Sequence, residues 1–165
     1  QWMDVRRVSK EFLQPWEPTW PTDGAEKAAF RRRLRRFTEN WNAGDAYPFF
    51  ILNRETDGLL GGITLSNLRR GVTQAATVGY WIGLPYTRRG HMAEAVSLVL
   101  DYAFDDLRLH RIEAACLVHN EPSRKLLLKR GFTEEGLARQ YLRIDGKWQD
   151  HRIFGILEAD RRANK

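Results

Sequence analysis

The sequence has little cysteine and no long hydrophobic run, and each shortage excludes a class of protein. A single cysteine, Cys116, among 165 residues cannot form an internal disulfide and cannot by itself begin a zinc site of thiolates. The longest charge-free stretch, residues 71–87, includes polar residues and a proline and falls short of the roughly 20 apolar residues that cross a bilayer, and no basic-then-apolar leader opens the chain. We therefore expect a cytoplasmic protein without a membrane anchor or a structural metal.

Apolar and aromatic residues, in contrast, are plentiful enough for one core. Hydrophobic residues make up 42% of the chain and aromatic residues 12%, which excludes disordered, collagen-like and low-complexity classes. The length suits a single domain over residues 1–165. Because the chain opens at Gln1 rather than at Met, it leaves open whether native residues precede it.

Positive charge is in excess. Lysine and arginine number 27 against 21 aspartates and glutamates, a net charge of +6 that favours an anionic ligand or partner. Part of this excess lies in residues 31–36. Four apolar residues recur at helical spacing: Phe30, Leu34, Phe37 and Trp41. They predict a helix that contains residues 31–36 and ends at Gly44. Most of the arginines then face water, and form either a solvated surface or a contact for RNA or an acidic partner.

Periodicity and turn signals predict the other elements. Three prolines and two tryptophans make residues 14–21 a stiff extended loop, whose tryptophans either fill the core or line a substrate cleft. A strand, a helix and a strand in succession over residues 77–118 predict a parallel pair of strands. The predicted helices are residues 2–13, 91–108 and 122–131, and the predicted strands are 47–53, 59–66, 77–82, 111–118, 132–144 and 147–157.

The most informative segment runs from Gly79 to Ala95. A strand ends, a turn carries Arg88, Arg89 and Gly90, and a long helix begins at once. Backbone amides at a helix start can hold a phosphate or pyrophosphate, and a glycine lets the anion approach closely. Glycine in such a turn is also common for its geometry alone. The turn lacks the three-glycine dinucleotide fingerprint and the Gly-Lys-Ser/Thr nucleotide motif.

This turn resembles the pyrophosphate-binding motif of the GNAT N-acetyltransferase superfamily. Blocks further along are similar to the acetyltransferases of ribosomal-protein N-terminal alanine and serine: Arg111–Ala114, Asn120–Ser123, Lys129–Phe132, Gly146–Asp150 and Phe154–Leu157. The resemblance covers the chain from about Phe12 onward. It implies an α/β (α+β) three-layer fold, with helices on both faces of a mixed twisted sheet that splays between strands 77–83 and 111–118.

The resemblance also implies acetyl-CoA in that gap. A backbone amide near Ile82 would polarise the thioester carbonyl. The implied cofactor contacts are Trp81, Ile82, Arg88, Arg89, Gly90, His91, Met92, Ala93, Asn120, Ser123 and Lys129. The sequence departs from the motif at Thr87 and Met92, so only Gly90 of three consensus residues is kept. The family's first strand is not visible ahead of Gln1; either it precedes this chain or the sheet is one strand short.

Catalysis requires a proton donor for the departing thiolate and a base for the amine. Many family members use a tyrosine where this chain has Leu127, whereas the serine-acetylating relatives use the serine that is Ser123 here. Ser123 is the leading donor, and a helix cap is its alternative role. The relatives' catalytic glutamate is replaced by Leu142. Other candidate bases are Glu113, which alternatively pairs with Arg111, and the histidines His91 and His119.

An α-amine titrates near 7.7–8.0 and a lysine near 10.4, so an α-amine can lose its proton through water more easily. This favours the N-terminal amine of a protein, such as a ribosomal protein, as the acceptor. A small-molecule amine remains an alternative acceptor. An RNA- or ribosome-binding module with a degenerate site is a further alternative, although direct nucleic-acid binding is not expected. We expect a monomer or a homodimer.

Overall fold

Six strands form one mixed sheet in the computed structural model, which describes residues 1–24 and 26–163. The strands are β1 (Tyr47–Leu52), β2 (Leu59–Arg69), β3 (Ala75–Ile82), β4 (Arg111–Leu117), β5 (Thr133–Ile144) and β6 (Lys147–Leu157). Their order across the sheet is β1-β2-β3-β4-β6-β5. Neighbouring strands are antiparallel except for β3 and β4. The predicted parallel pair is therefore confirmed.

Six α-helices lie within the described residues, and the predicted first helix is interrupted. They are α1 (Trp2–Val8), α2 (Lys10–Leu13), α3 (Lys27–Ala43), α4 (His91–Asp101), α5 (Glu121–Lys129) and α6 (Glu158–Ala163). Ser9 separates α1 from α2 with φ −106° and ψ 6°, and its hydroxyl accepts a hydrogen bond from the Leu84 amide at 2.9 Å. Residues 14–16 form a 3₁₀ turn, so the prediction of an extended loop is wrong there. No pattern in the sequence had indicated α6.

The helices cover both faces of the sheet, as the predicted three-layer architecture requires. One face packs against α4 and α5 in a buried apolar cluster that includes Leu65 of β2, Leu100 of α4 and Leu127 of α5. On the opposite face, Trp2 of α1 stacks on Phe30 of α3 with ring centroids 5.1 Å apart. No helix within the described residues is long and apolar enough to span a membrane.

The two central strands pair over only three residues each. Ala75 to Thr77 of β3 lie beside Arg111 to Glu113 of β4, and beyond Thr77 the strands diverge. The divergence leaves the facing edges of both strands without a neighbouring strand, and it opens the sheet between them. The predicted splay between these two strands is confirmed, and it is the feature of the fold that creates the site.

Candidate active site

A cleft of about 630 Å³ occupies the gap between β3 and β4. Val78 to Ile82 form one wall and Ala115 to Leu117 the other, while α5 contributes Ser123 and Leu126. The 3₁₀ turn covers part of the opening through Trp16. A narrow, mostly apolar cleft between two splayed strands suits an extended ligand that enters along the strand edges.

The mouth of the cleft is the turn that leads into α4. Gly90 precedes the helix with φ +86°, a backbone conformation that side chains rarely tolerate, and a Cβ placed there would meet nothing within 4 Å. The first amides of α4 have no acceptor within the helix and carry the positive end of its dipole. All six predicted residues of this turn line the cleft, from Arg88 to Ala93. The turn therefore presents amides and guanidinium groups to an anion.

The edge of β3 presents a backbone donor to the cleft. The Gly83 amide donates to the Leu60 carbonyl of β2 at 2.8 Å. Hydrogen-bonding direction alternates along a strand, so the neighbouring Ile82 amide points away from β2 and toward the gap. Ile82 lines the cleft, which agrees with the predicted position of an oxyanion donor.

Ser123 and Tyr80 meet inside the cleft. Their hydroxyl oxygens are 2.8 Å apart and share a hydrogen bond. Burial raises the pKa of Tyr80, and the bond to Ser123 opposes this only in part. The cap of α5 is Asn120, whose Oδ1 accepts a hydrogen bond from the Ser123 amide at 3.2 Å. The alternative role of Ser123 as the helix cap is therefore wrong, and its hydroxyl is directed to the cleft.

The comparisons with known proteins decide what this site belongs to. Residues 1–133 match the Acetyltransferase (GNAT) domain family. The chain is a GNAT acetyltransferase. It is 40% identical over 158 residues to the probable N-acetyltransferase YjcK of Bacillus subtilis (strain 168), covering 96% of this chain and 87% of that protein. It is 33% identical over 157 residues to the [ribosomal protein uS5]-alanine N-acetyltransferase of Escherichia coli (strain K12), covering 95% and 81%.

A solved structure agrees with the sequence relatives. Mycobacterium smegmatis RimJ in complex with CoA-disulfide superposes with a TM-score of 0.87 at 32% identity, over 99% of this chain and 82% of that one. The predicted superfamily, activity and acetyl-CoA dependence are thus confirmed. The alternative of an RNA-binding module without enzymatic activity is therefore wrong.

Three candidate site residues of this GNAT acetyltransferase do not line the cleft: Glu113, Lys129 and His119. Glu113 accepts hydrogen bonds from Arg69 and, at 3.1 Å, from Arg111 Nε, and it does not line the cleft. The alternative of an ion pair with Arg111 is therefore the arrangement present. Lys129 is exposed in the last turn of α5, also outside the cleft lining. Leu127 is buried in the core, where a leucine supplies no proton.

The two loop tryptophans take different roles. The Trp16 ring lies 5.4 Å from the His119 ring and lines the cleft. Trp20 covers the guanidinium of Arg6 at 3.9 Å and donates to Glu17 at 2.7 Å. Glu17 in turn pairs with the buried Arg6 at 2.6 Å. The cleft alternative is thus confirmed for Trp16, whereas Trp20 does not fill the core but lies half-buried over Arg6.

His151 of β6 is a cleft residue that the sequence analysis missed. It is 2% exposed and its Nδ1 lies 2.9 Å from the Gln149 carbonyl oxygen. A carbonyl only accepts, so Nδ1 donates to it, and in the tautomer with its single proton on Nδ1 the lone pair lies on Nε2. The ring can therefore take a proton at Nε2. A histidine inside a closing strand carries no local signal, because only strand pairing brings β6 beside β4.

Proposed function

We propose that this acetyltransferase transfers acetyl from acetyl-CoA to the N-terminal α-amine of a protein, with a ribosomal protein as the first candidate. The observation that supports this most is the match to a ribosomal-protein-alanine N-acetyltransferase over 95% of the chain, which includes the elements that surround the cleft. A ribosomal acceptor would place the reaction in the cytoplasm. Small-molecule amines are the alternative acceptors.

The residues of the cleft fit acetyl-CoA, which when bound supplies an acetyl thioester. The Arg88–Ala93 turn would hold its pyrophosphate through backbone amides and two guanidinium groups. The Ile82 amide would donate to the carbonyl oxygen, a contribution of about 10²–10³ in rate for one such donor. Ser123, which shares a hydrogen bond with Tyr80, would give its Oγ proton to the departing sulfur and regain one through the Tyr80 hydroxyl from solvent, which ultimately receives the proton that the amine gives up.

His151 is the base that we propose for the amine. Its Nε2 would accept the proton that the α-ammonium or the attacking amine gives up, and its Nδ1–H bond to Gln149 fixes the required tautomer. His151 would supply the base that Leu142, at the position of the relatives' catalytic glutamate, cannot. Leu142 lines the same cleft and contributes only apolar surface.

The variant His151→Asn tests this role. The Asn amide can keep the donor to the Gln149 carbonyl but has no basic nitrogen, so we expect kcat/KM to fall on the order of tenfold to a hundredfold at pH 7. The deficit should shrink above about pH 8, where an α-amine is already neutral. A deficit that stays constant from pH 6.5 to 9, with unchanged acetyl-CoA binding, would show that His151 only supports the fold.

The acceptor class is tested by direct competition between amines. Short peptides that begin with free Ala or Ser are offered beside spermidine, an aminoglycoside and free amino acids, and acetyl transfer is followed by mass spectrometry and thiol release. We expect turnover of the peptides at their N-termini. Peptides with a blocked N-terminus and an internal lysine serve as the control and should not react. Turnover confined to a small amine would overturn the proposed function.

A further inference from the structure

A second cavity of about 430 Å³ lies on the α3 side of the sheet. It is enclosed by α3, β1 and β2, and its lining includes Arg33, Arg36, Asn40 and Thr64. Trp81 of β3 lines both this cavity and the acetyl-CoA cleft. One residue therefore separates a pocket of unassigned function from the place where the acetyl group is transferred.

The two arginines of this cavity have no carboxylate partner. Neither Arg33 nor Arg36 forms an ion pair within residues 1–24 and 26–163, whereas the neighbouring Arg32 pairs with Asp23. Arg33 is half-buried and lies over the Trp2 ring at 5.3 Å. No aspartate or glutamate is among the described residues that line this cavity. Arg36, which also lines the cavity, is exposed to solvent. The half-buried, unpaired guanidinium of Arg33 would be stabilised by an anion bound beside it.

The pKa of Arg33 is shifted in the direction expected for a partly buried guanidinium close to other positive charges. Burial lowers its pKa, the neighbouring charges of Arg6 and Arg36 lower it further, and Glu17 opposes them only in part. Two like charges and partial loss of water thus act on the same group. The negative charge of a bound carboxylate would oppose the lowering of this pKa.

Gly79 leaves one face of β3 without a side chain beside the two compartments. It pairs with Thr64 across β2 and β3, and paired residues lie on the same face of a sheet. Thr64 lines the cavity and Gly79 lines the cleft. A Cβ at Gly79 would meet nothing within 4 Å. This face of β3 is therefore open at Gly79, and Trp81 is the side chain that lines both compartments.

We propose that Arg33 and Arg36 bind a carboxylate of the acceptor, so that the preferred substrate is a peptide with an acidic residue within its first few positions. This inference rests on the proposed function and names its substrate class. An extended peptide advances about 3.3–3.6 Å per residue, so a side chain soon after the reacting amine can reach the next compartment. The same positive field disfavours an ammonium ion, which promotes the neutral amine and opposes polyamines.

Matched peptides and matched variants test the pocket. Peptides that begin with Ala and carry either Glu or Gln at the second, third or fourth position are compared by kcat/KM. For the unmodified enzyme we expect a preference of about tenfold for Glu at one position, typical of a charge-assisted hydrogen bond. Arg33→Gln with Arg36→Gln should remove this preference and leave acetyl-CoA affinity unchanged.

The control is Arg31→Gln with Arg35→Gln, which removes the same charge from exposed positions of α3 outside the cavity. It should retain the preference. Equal use of Glu and Gln peptides by the unmodified enzyme, or a preference that survives in the Arg33 and Arg36 variant, would overturn the inference while leaving the proposed function intact.

If no peptide is acetylated, the proposed function is overturned, but peptide binding still tests the pocket. The N-acetylated Glu and Gln peptides are then titrated by calorimetry in the presence of CoA. Tighter binding of the Glu peptide that is lost in the Arg33 and Arg36 variant supports the pocket. Identical binding of the two peptides contradicts it.

Discussion

Gly90→Glu is expected to weaken acetyl-CoA binding by at least about 100-fold, or about 2.7 kcal/mol. The residue sits at the start of α4 with φ +86°, where the helix amides face the cleft. A glutamate places a carboxylate where these amides would hold a pyrophosphate, so like-charge repulsion adds to the loss of space. Calorimetric titration with acetyl-CoA measures the effect directly.

The backbone strain must be separated from the charge. Any non-glycine residue at this φ costs roughly 1–2 kcal/mol, but asparagine tolerates the left-handed region better than most. Gly90→Asn is therefore the control, and it should lose far less affinity than Gly90→Glu. If a folded Gly90→Glu protein binds acetyl-CoA within a few-fold of the unmodified enzyme, the Arg88–Ala93 turn is not the pyrophosphate site.

Ser123→Ala is expected to lower kcat on the order of 10² to 10³-fold, the range typical of a general acid. The change removes the hydroxyl that hydrogen-bonds Tyr80 in the cleft. It leaves the cap of α5 intact because Asn120 accepts from the backbone amide of residue 123, which alanine also has. Steady-state kinetics with a saturating acceptor measure the effect, and acetyl-CoA affinity should change less than about threefold.

The conservative variant Ser123→Thr distinguishes chemistry from packing. Threonine keeps a hydroxyl at this position and should recover much of the activity that alanine loses. Because the affected step is loss of the thiolate, acetyl donors with a more acidic thiol should be less sensitive to Ser123→Ala. Full activity of Ser123→Ala at saturating acceptor would mean that the thiolate leaves without a proton from this residue.

Local patterns were sufficient for most of the elements and for the mouth of the cleft. The turn at Arg88 to Gly90, the strand before it and the helix after it are all signalled by neighbours in sequence, as is the hairpin at Asp145–Gly146. The interruption at Ser9 was not, and the Ser9 hydroxyl there accepts a hydrogen bond from Leu84, 75 residues away. Signals of that kind exist only after folding.

The site residues divide in the same way, into those signalled by neighbours in sequence and those identified only by contacts in the folded chain. Ser123 could be selected from the Asn120–Ser123 motif, but its partner Tyr80 could not, since 43 residues separate the two hydroxyls. Glu113 had the right chemistry for a base, yet arginines from β2 and β4 neutralise it in the folded chain. A titratable residue is identified by type in a sequence, whereas its partners and its exposure depend on which strands lie beside it.

By itself the sequence determined the family, the order of most helices and strands and the turn that we propose binds the pyrophosphate, because each depends on residues close together along the chain. The tertiary structure decided which side chains face the cleft, that His151 lies within it, and that Arg33 and Arg36 enclose a second cavity beside Trp81. These depend on strand order and on the splay of β3 from β4. Both are consequences of packing between distant segments, which no local pattern encodes.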